Sequence, residues 1–198
     1  MPEPMILKQS STDTDTYIVK EIFTSLQGEG LMMGTPATFI RFARCNMNCA
    51  YCDTDYAGGQ WLEISDIVKS ISTEWVWITG GEPLLQVGHQ ADDPLLSEIR
   101  NRGHRIALET NGSLRAGFEF DHIALSPKVH RSECKLDHAN EIKVIYPASI
   151  HPEEYHDFGG IGLDGKRFIQ PTWGFDDSHQ DCVEYFLGHP EWRLSVQM

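Results

Sequence analysis

The chain has 198 residues and a formal charge of −13, from 29 acidic against 16 basic side chains. A domain of ~150 residues already hides about two thirds of its unfolded surface, so this length supports one well-buried core, and an acidic excess with no basic run argues against a nucleic-acid partner. No apolar stretch approaches the ~18 residues of a membrane span, the N-terminus lacks the apolar core of a secretory signal, and an odd five cysteines, three crowded in one loop, point to a reducing cytoplasm.

Residues 1–16 are polar and without hydrophobic period, which reads as a flexible lead-in to a single domain over residues 17–198. Strand candidates then recur, β-branched and aromatic: YIVKEIF from Tyr17, TFIRFA from Thr38, WVWIT from Trp75, RIALET from Arg105, HIALS from His122, EIKVIY from Glu141, RFIQ from Arg167 and RLSV from Arg193. Helical spacing appears at Ile64, Ile67, Val68 and Ile71, at Leu95, Leu96 and Ile99 behind Pro94, and at Val183, Phe186 and Leu187 ahead of Gly188. Alternating strand and helix predicts a parallel sheet in an α/β fold. A full (β/α)8 barrel takes about 250 residues, so the expected architecture is an incomplete, trimmed (β/α) barrel. The five tryptophans are expected in the core and at its rim.

Chemistry concentrates in RFARCNMNCAYCDTDYA, where Cys45, Cys49 and Cys52 stand at C-x3-C-x2-C spacing within eight residues. Three thiolates can each hold one iron of a 4Fe-4S cube and leave the fourth iron free of protein ligands, whereas electron-carrying clusters use four. The competing reading is a zinc knuckle completed by Cys134, Cys182 or a histidine, although zinc sites usually repeat a C-x2-C pair and no second pair exists here.

Barrels of this kind place active groups where strands run into loops, and several polar motifs follow strand runs here. WVWIT leads into Gly80, Gly81, Glu82 and Pro83: two permissive glycines and a carboxylate able to accept from an ammonium group, or an ordinary Gly-Gly turn. RIALE ends in Thr110-Asn111-Gly112, and HIAL in Ser126-Pro127-Lys128. Ahead of the cysteines, Ser25-Leu26-Gln27-Gly28-Glu29-Gly30 suits a purine- or pterin-like ring edge, or is simply a glycine-bracketed hairpin loop. Arg41, mid-strand among apolar residues, needs an anion if it points inward and none if it points to solvent.

Taken together, SLQGEG, RFARCNMNCAYCDT, TGGEPLLQ, ETNG, SPK, IQP and RLSVQM resemble, in order and approximate spacing over residues 17–198, the 7-carboxy-7-deazaguanine synthases of the radical S-adenosylmethionine (SAM) superfamily. The resemblance implies a trimmed radical SAM barrel, often a homodimer, that converts 6-carboxy-5,6,7,8-tetrahydropterin to 7-carboxy-7-deazaguanine with loss of ammonia, for queuosine and other 7-deazapurines. It implies a radical reaction begun by one electron from a flavodoxin-like donor, with a 4Fe-4S cluster, SAM and Mg2+ as cofactors. Carried onto this sequence, Cys45, Cys49 and Cys52 bind iron. Tyr51, Cys52, Asp53, Gly80, Gly81, Glu82, Gly112, Ser126, Pro127, Lys128 and Gln170 line SAM. Leu26, Gln27, Gly28, Arg41 and Thr110 contact the pterin, and Thr54 ligates Mg2+, where hard-cation chemistry alone favours Asp53 or Asp55. Two departures stand out: Arg44 occupies a position that is often glycine, and the family usually continues with a His-Lys segment where this sequence has Met198. An activase-type radical SAM protein, which shares the cysteine spacing and GGEP, and a zinc scaffold are the competing functions. SLQGEG argues against the first. Cys134, Cys182, His151, His156, His179 and His189 are read as non-ligands.

Overall fold

A computed structural model describes residues 10–11, 14–158 and 161–197. In chain order the strands are β1 (Ser10–Ser11), β2 (Thr14–Leu26), β3 (Pro36–Phe42), β4 (Gln60–Glu63), β5 (Trp75–Gly80), β6 (Arg105–Thr110), β7 (His122–Leu125), β8 (Ala139–Tyr146), β9 (Ile161–Pro171) and β10 (Trp192–Leu194). The helices are α1 (Ile64–Lys69), α2 (Pro94–Asn101) and α3 (Ser178–Gly188). All eight strands and all three helices read from the sequence are present, and β1 and β4 are additions. Of the supposed lead-in, residues 1–9, 12 and 13 lie outside the described residues, while Thr16 already pairs with Glu63 in the sheet.

The sheet runs β1-β2-β3-β5-β6-β7-β8-β9-β10, with β4 on β2. From β3 to β10 every neighbouring pair is parallel. The exceptions are the antiparallel pairs that β2 makes with β1, β3 and β4. Helices fill only the crossovers before β5, β6 and β10. Among the described residues the sheet stays open, since the path ends at β10 without pairing back to β2. This is the trimmed barrel expected from the sequence. Among the described residues no helix is long and apolar enough to cross a membrane.

Because side chains alternate across a strand, each parallel strand has two distinct faces. The outer one carries Ile40, Phe42, Val76, Ile78, Ile106, Leu108, Ile123, Leu125, Ile142, Val144 and Ile169, all in the main core with Ile67 and Val68 of α1 and Leu95, Leu96 and Ile99 of α2. The start of α2 is well specified: Pro94 sits at its first turn, and Asp93 caps it by accepting from the Leu96 amide at 3.1 Å and the Gly88 amide at 3.0 Å. The inner face is graded. Toward the strand N-termini Ala37, Phe39, Trp75, Trp77 and Ala107 form a second apolar cluster, and beyond them the inward positions turn polar at Arg41, Thr79, Glu109 and Lys143. Leu96, fully buried between α2 and the sheet, tests the outer core: Leu96→Ala is expected to cost about 2–5 kcal/mol in guanidinium unfolding.

Candidate active site

The polar inner face opens into one cavity of about 890 Å³. That is near the top of the ~300–1,000 Å³ range of ligand clefts and leaves room for a cofactor beside a substrate. Its walls come from loops at the C-terminal ends of β3, β5, β6, β7 and β9, as parallel barrels arrange them. The loop Gln27–Thr35 arrives differently. Antiparallel pairing of Leu26 with Pro36 puts it at the opposite end of the sheet, closed by Gln27 N to Thr35 O and Gly34 N to Gln27 O bonds of 2.8 Å. It is therefore the glycine-bracketed hairpin loop of the second sequence reading, and it also lines the cavity.

The cysteine loop follows β3. Cys45, Cys49 and Cys52 all border the cavity, with Cys52 the most exposed. Burial pushes the Cys45 thiol up, and the Met47 amide donates to its sulfur at 3.4 Å, a contact that suits a thiolate ligand. Among the described residues no three His, Cys, Asp or Glu side chains converge on a single point, as a zinc ion requires. A cube takes each thiolate on a separate iron, and the donor set fits it. Cys134, at the end of a 3-10 turn, and Cys182, buried in α3, lie apart from this loop. His151 caps a 3-10 turn, His189 ends α3, and His156 and His179 are exposed.

The glycine pair after β5 packs directly on this loop. A Cβ on Gly80 would lie 2.2 Å from the Phe42 carbonyl oxygen and one on Gly81 2.1 Å from that of Arg44, so neither position admits a side chain. The Glu82 amide donates to the same Arg44 oxygen at 3.0 Å. Arg44 itself has φ +74°, the left-handed conformation that a glycine adopts freely, and its side chain is exposed. Asn46 ties the loop to β6 by accepting from Asn111 Nδ2 at 3.0 Å and donating to Ser113 Oγ at 2.8 Å.

Sixteen of the residues carried over from the resemblance border the cavity, from Leu26, Gln27, Gly28 and Arg41 through Tyr51, Asp53, Thr54, Gly80, Gly81 and Thr110 to Ser126, Lys128 and Gln170, together with the three cysteines. Glu82, Gly112 and Pro127 stand behind its wall. Glu82 is fully buried and accepts from Leu84 N (3.1 Å), Thr110 Oγ1 (2.9 Å) and Asn111 N (2.8 Å), so it braces the TGGEP and ETNG loops. Burial pushes its carboxyl up to about 7 against the opposing pull of these hydrogen bonds. Lys128 donates to Ser126 O and Oγ at 3.0 and 2.7 Å, and burial pushes it down to about 8 against the raising influence of Cys49, Cys52 and Asp53. Tyr51 is half-buried, its hydroxyl pushed up to about 12 by burial.

Arg41 points to the cavity, yet its Nε already holds Glu21 at 2.7 Å near the mouth, so neither sequence alternative describes it fully. Thr54 Oγ1 donates to Asp53 Oδ1 at 3.1 Å, and Asp55 is held by Lys20 at 2.7 Å. Sequence reasoning passed over Glu109, whose carboxylate receives Trp77 Nε1 (2.9 Å), Thr79 Oγ1 (2.7 Å) and Gln27 Nε2 (3.2 Å) inside the cavity. It also passed over Thr79 and Lys143, and gave Asn111 no role of its own within Thr110-Asn111-Gly112. The available signal was period-two alternation in WVWIT and RIALE, which turns Thr79 and Glu109 inward as the last such residues before each loop.

Residues 39–145 match the radical SAM superfamily. The chain belongs to that superfamily, whose members use a 4Fe-4S cluster and SAM. Within it the chain belongs to the 7-carboxy-7-deazaguanine synthases. It is 37% identical to the synthase of Bradyrhizobium diazoefficiens, over 92% of this chain and 96% of that one. It is 34% identical to that of Haemophilus influenzae, over 98% and 96%. The crystal structure of QueE from Escherichia coli superposes with a TM-score of 0.69 at 25% identity, covering 92% of this chain and 94% of that one.

The Glu82 carboxyl gives a pH test. Its value is raised from an ordinary 4.5 to about 7, so between those limits the folded state binds more protons than the unfolded one and this group's contribution to stability falls as pH rises. Cofactor-free Glu82→Gln should gain stability relative to wild type between pH 4.5 and 7, measured by urea unfolding; a constant difference across that window would contradict the assignment.

Proposed function

We propose that the protein converts 6-carboxy-5,6,7,8-tetrahydropterin to 7-carboxy-7-deazaguanine with loss of ammonia, toward queuosine and other 7-deazapurines. The observation that carries this reading is the meeting, around one cavity, of the cysteine loop with an amide, carboxylate and cation set drawn from the SLQGEG hairpin, β3 and β6. An activase would instead need a surface on which a partner protein docks.

Cys45, Cys49 and Cys52 would hold the cluster, and Tyr51, Gly80, Gly81, Ser126, Lys128 and Gln170 would hold SAM against it. Bound there, cluster and SAM supply the carbon radical that starts the ring contraction. The protein's own contribution is placement and exclusion of water. Glu109 faces the cavity as an acceptor with room, beyond its three present donors, for an N–H of an aminopyrimidinone edge, while Gln27 offers both an acceptor and a donor beside it. Arg41 would exchange Glu21 for the pterin carboxylate, a swap that keeps the guanidinium paired throughout. Phe39 and Trp77 close the inner end with apolar surface. Lys128, near 8, carries its proton on Nζ at neutral pH close to the cysteine loop.

The same reading places Mg2+ on Thr54 beside Asp53, draws its electron from a flavodoxin-like donor, and has the chain act as one domain in a cytoplasmic homodimer. The metal, the donor and the dimer rest on the resemblance, the single domain on chain length and the cytoplasm on the cysteine count.

The deciding experiment is anaerobic reconstitution with iron and sulfide, then SAM, reductant, Mg2+ and 6-carboxytetrahydropterin, with mass detection of 7-carboxy-7-deazaguanine as the expected product. Appearance of 5'-deoxyadenosine without that product would keep the superfamily chemistry and overturn the substrate. Arg41→Ala should weaken pterin binding by about 1.5–3 kcal/mol, roughly 10- to 100-fold in Kd, read by equilibrium dialysis under anaerobic conditions.

A further inference from the structure

Strand β8 turns alternate residues, Glu141 and Lys143, toward the interior. Both are buried, and both end on the hairpin that supplies Gln27 and Gly28. Glu141 accepts from the Leu31 amide and stands so close to Gly30 (φ +66°) that a Cβ there would lie 2.5 Å from its Oε1. Lys143 Nζ meets the carboxylate of Glu29, its one acidic partner among the described residues. A buried ammonium without a counter-charge is costly, so Lys143 is satisfied only while the hairpin is seated.

Glu29 passes the restraint on. Its Oε1 accepts from Gln170 Nε2 at 3.3 Å and Gln197 Nε2 at 2.6 Å, while its amide donates to Gln27 Oε1 at 3.1 Å. Gln27 Nε2 then donates to Glu109 at 3.2 Å. The Gln27 amide is thereby fixed in one of its two orientations, with oxygen toward Glu29 and nitrogen toward Glu109. We propose that Lys143 is a positioning residue for the pterin: acting through Glu29, it sets the depth and orientation of the Gln27–Gly28 segment against which the substrate edge docks. This rests on the pterin reading of the cavity, with Lys143 touching the hairpin and not the substrate.

The test compares Lys143→Met, Glu29→Gln and the double variant as reconstituted holoenzymes. Amide exchange across residues 27–35 is followed without substrate, and KM and kcat for 6-carboxytetrahydropterin with it. The expected result is about tenfold faster hairpin exchange and a KM raised about 10- to 100-fold in Lys143→Met, with kcat changed less than about threefold and the double variant no worse than the poorer single one. Lys143→Arg, which keeps the charge, should restore most of the lost affinity. Additive effects in the double variant would make Lys143 a direct substrate contact, and unchanged exchange would remove its hold on the hairpin; either overturns the proposal. If Lys143→Met does not fold, Glu29→Gln alone carries the same exchange measurement. Should wild type fail to turn over the pterin, the functional reading fails, while the exchange data still decide whether Lys143 seats the hairpin.

Discussion

The contact between the Glu29 carboxylate and the Lys143 ammonium ties the loop between β2 and β3 to β8 across the open side of the sheet. A complete barrel seals its interior with a continuous backbone ladder. Here the ladder stops at β10, and the loop between β2 and β3 crosses to β8, β9 and the segment after β10. It makes the crossing through side chains: Glu29 to Lys143, Gln170 and Gln197, Leu31 N to Glu141, and Gly30 N to Ser195 Oγ at 3.3 Å. Everything the cavity requires, from a defined back wall to a correctly turned Gln27, depends on that crossing.

The inner face explains why the crossing is polar. A sheet whose outer face is mostly apolar and packed on α1 and α2 can leave its inner face to chemistry, and the gradation from Trp75, Trp77 and Phe39 to Thr79, Glu109 and Lys143 divides packing from function along single strands. The acids of the interior are each met by donors: Glu82 by two amides and a hydroxyl, Glu109 by an indole, a hydroxyl and an amide. Such networks hold loops firmly where partly satisfied ones would loosen them. Arg41 and Lys128 set cations around the cavity of a chain with a net charge of −13, which is where an anionic substrate needs them.

Much of this was legible beforehand. β-branched runs located the eight strands that carry the site, and the 3-and-4 spacing behind Pro94 located α2, because burial against one face leaves a periodic trace. β4 was missed since Gln60–Glu63 is mostly exposed at the edge of β2 and runs straight into the helical pattern of α1. Motif order found most of the residues that border the cavity. Glu82 stands behind the cavity wall instead, for a sequence shows that a carboxylate follows two glycines without showing that donors from the neighbouring loops also meet it. Glu109 and Lys143 lay hidden for the opposite reason: a charged residue inside a strand run looks like the solvent side of an ordinary sheet until the sheet curls and makes that side the interior.

Arg44 carries a last implication. Its left-handed backbone costs a residue with a side chain about 1–2 kcal/mol relative to glycine, yet it persists, held by Arg44 N to Tyr56 O at 2.9 Å on one side and Glu82 N to Arg44 O at 3.0 Å on the other. The entrance to the cysteine loop is thus shaped by protein contacts strong enough to override local preference. The turn is held through the main chain of Arg44 alone, by its amide and its carbonyl, so its shape is independent of what the Arg44 side chain does.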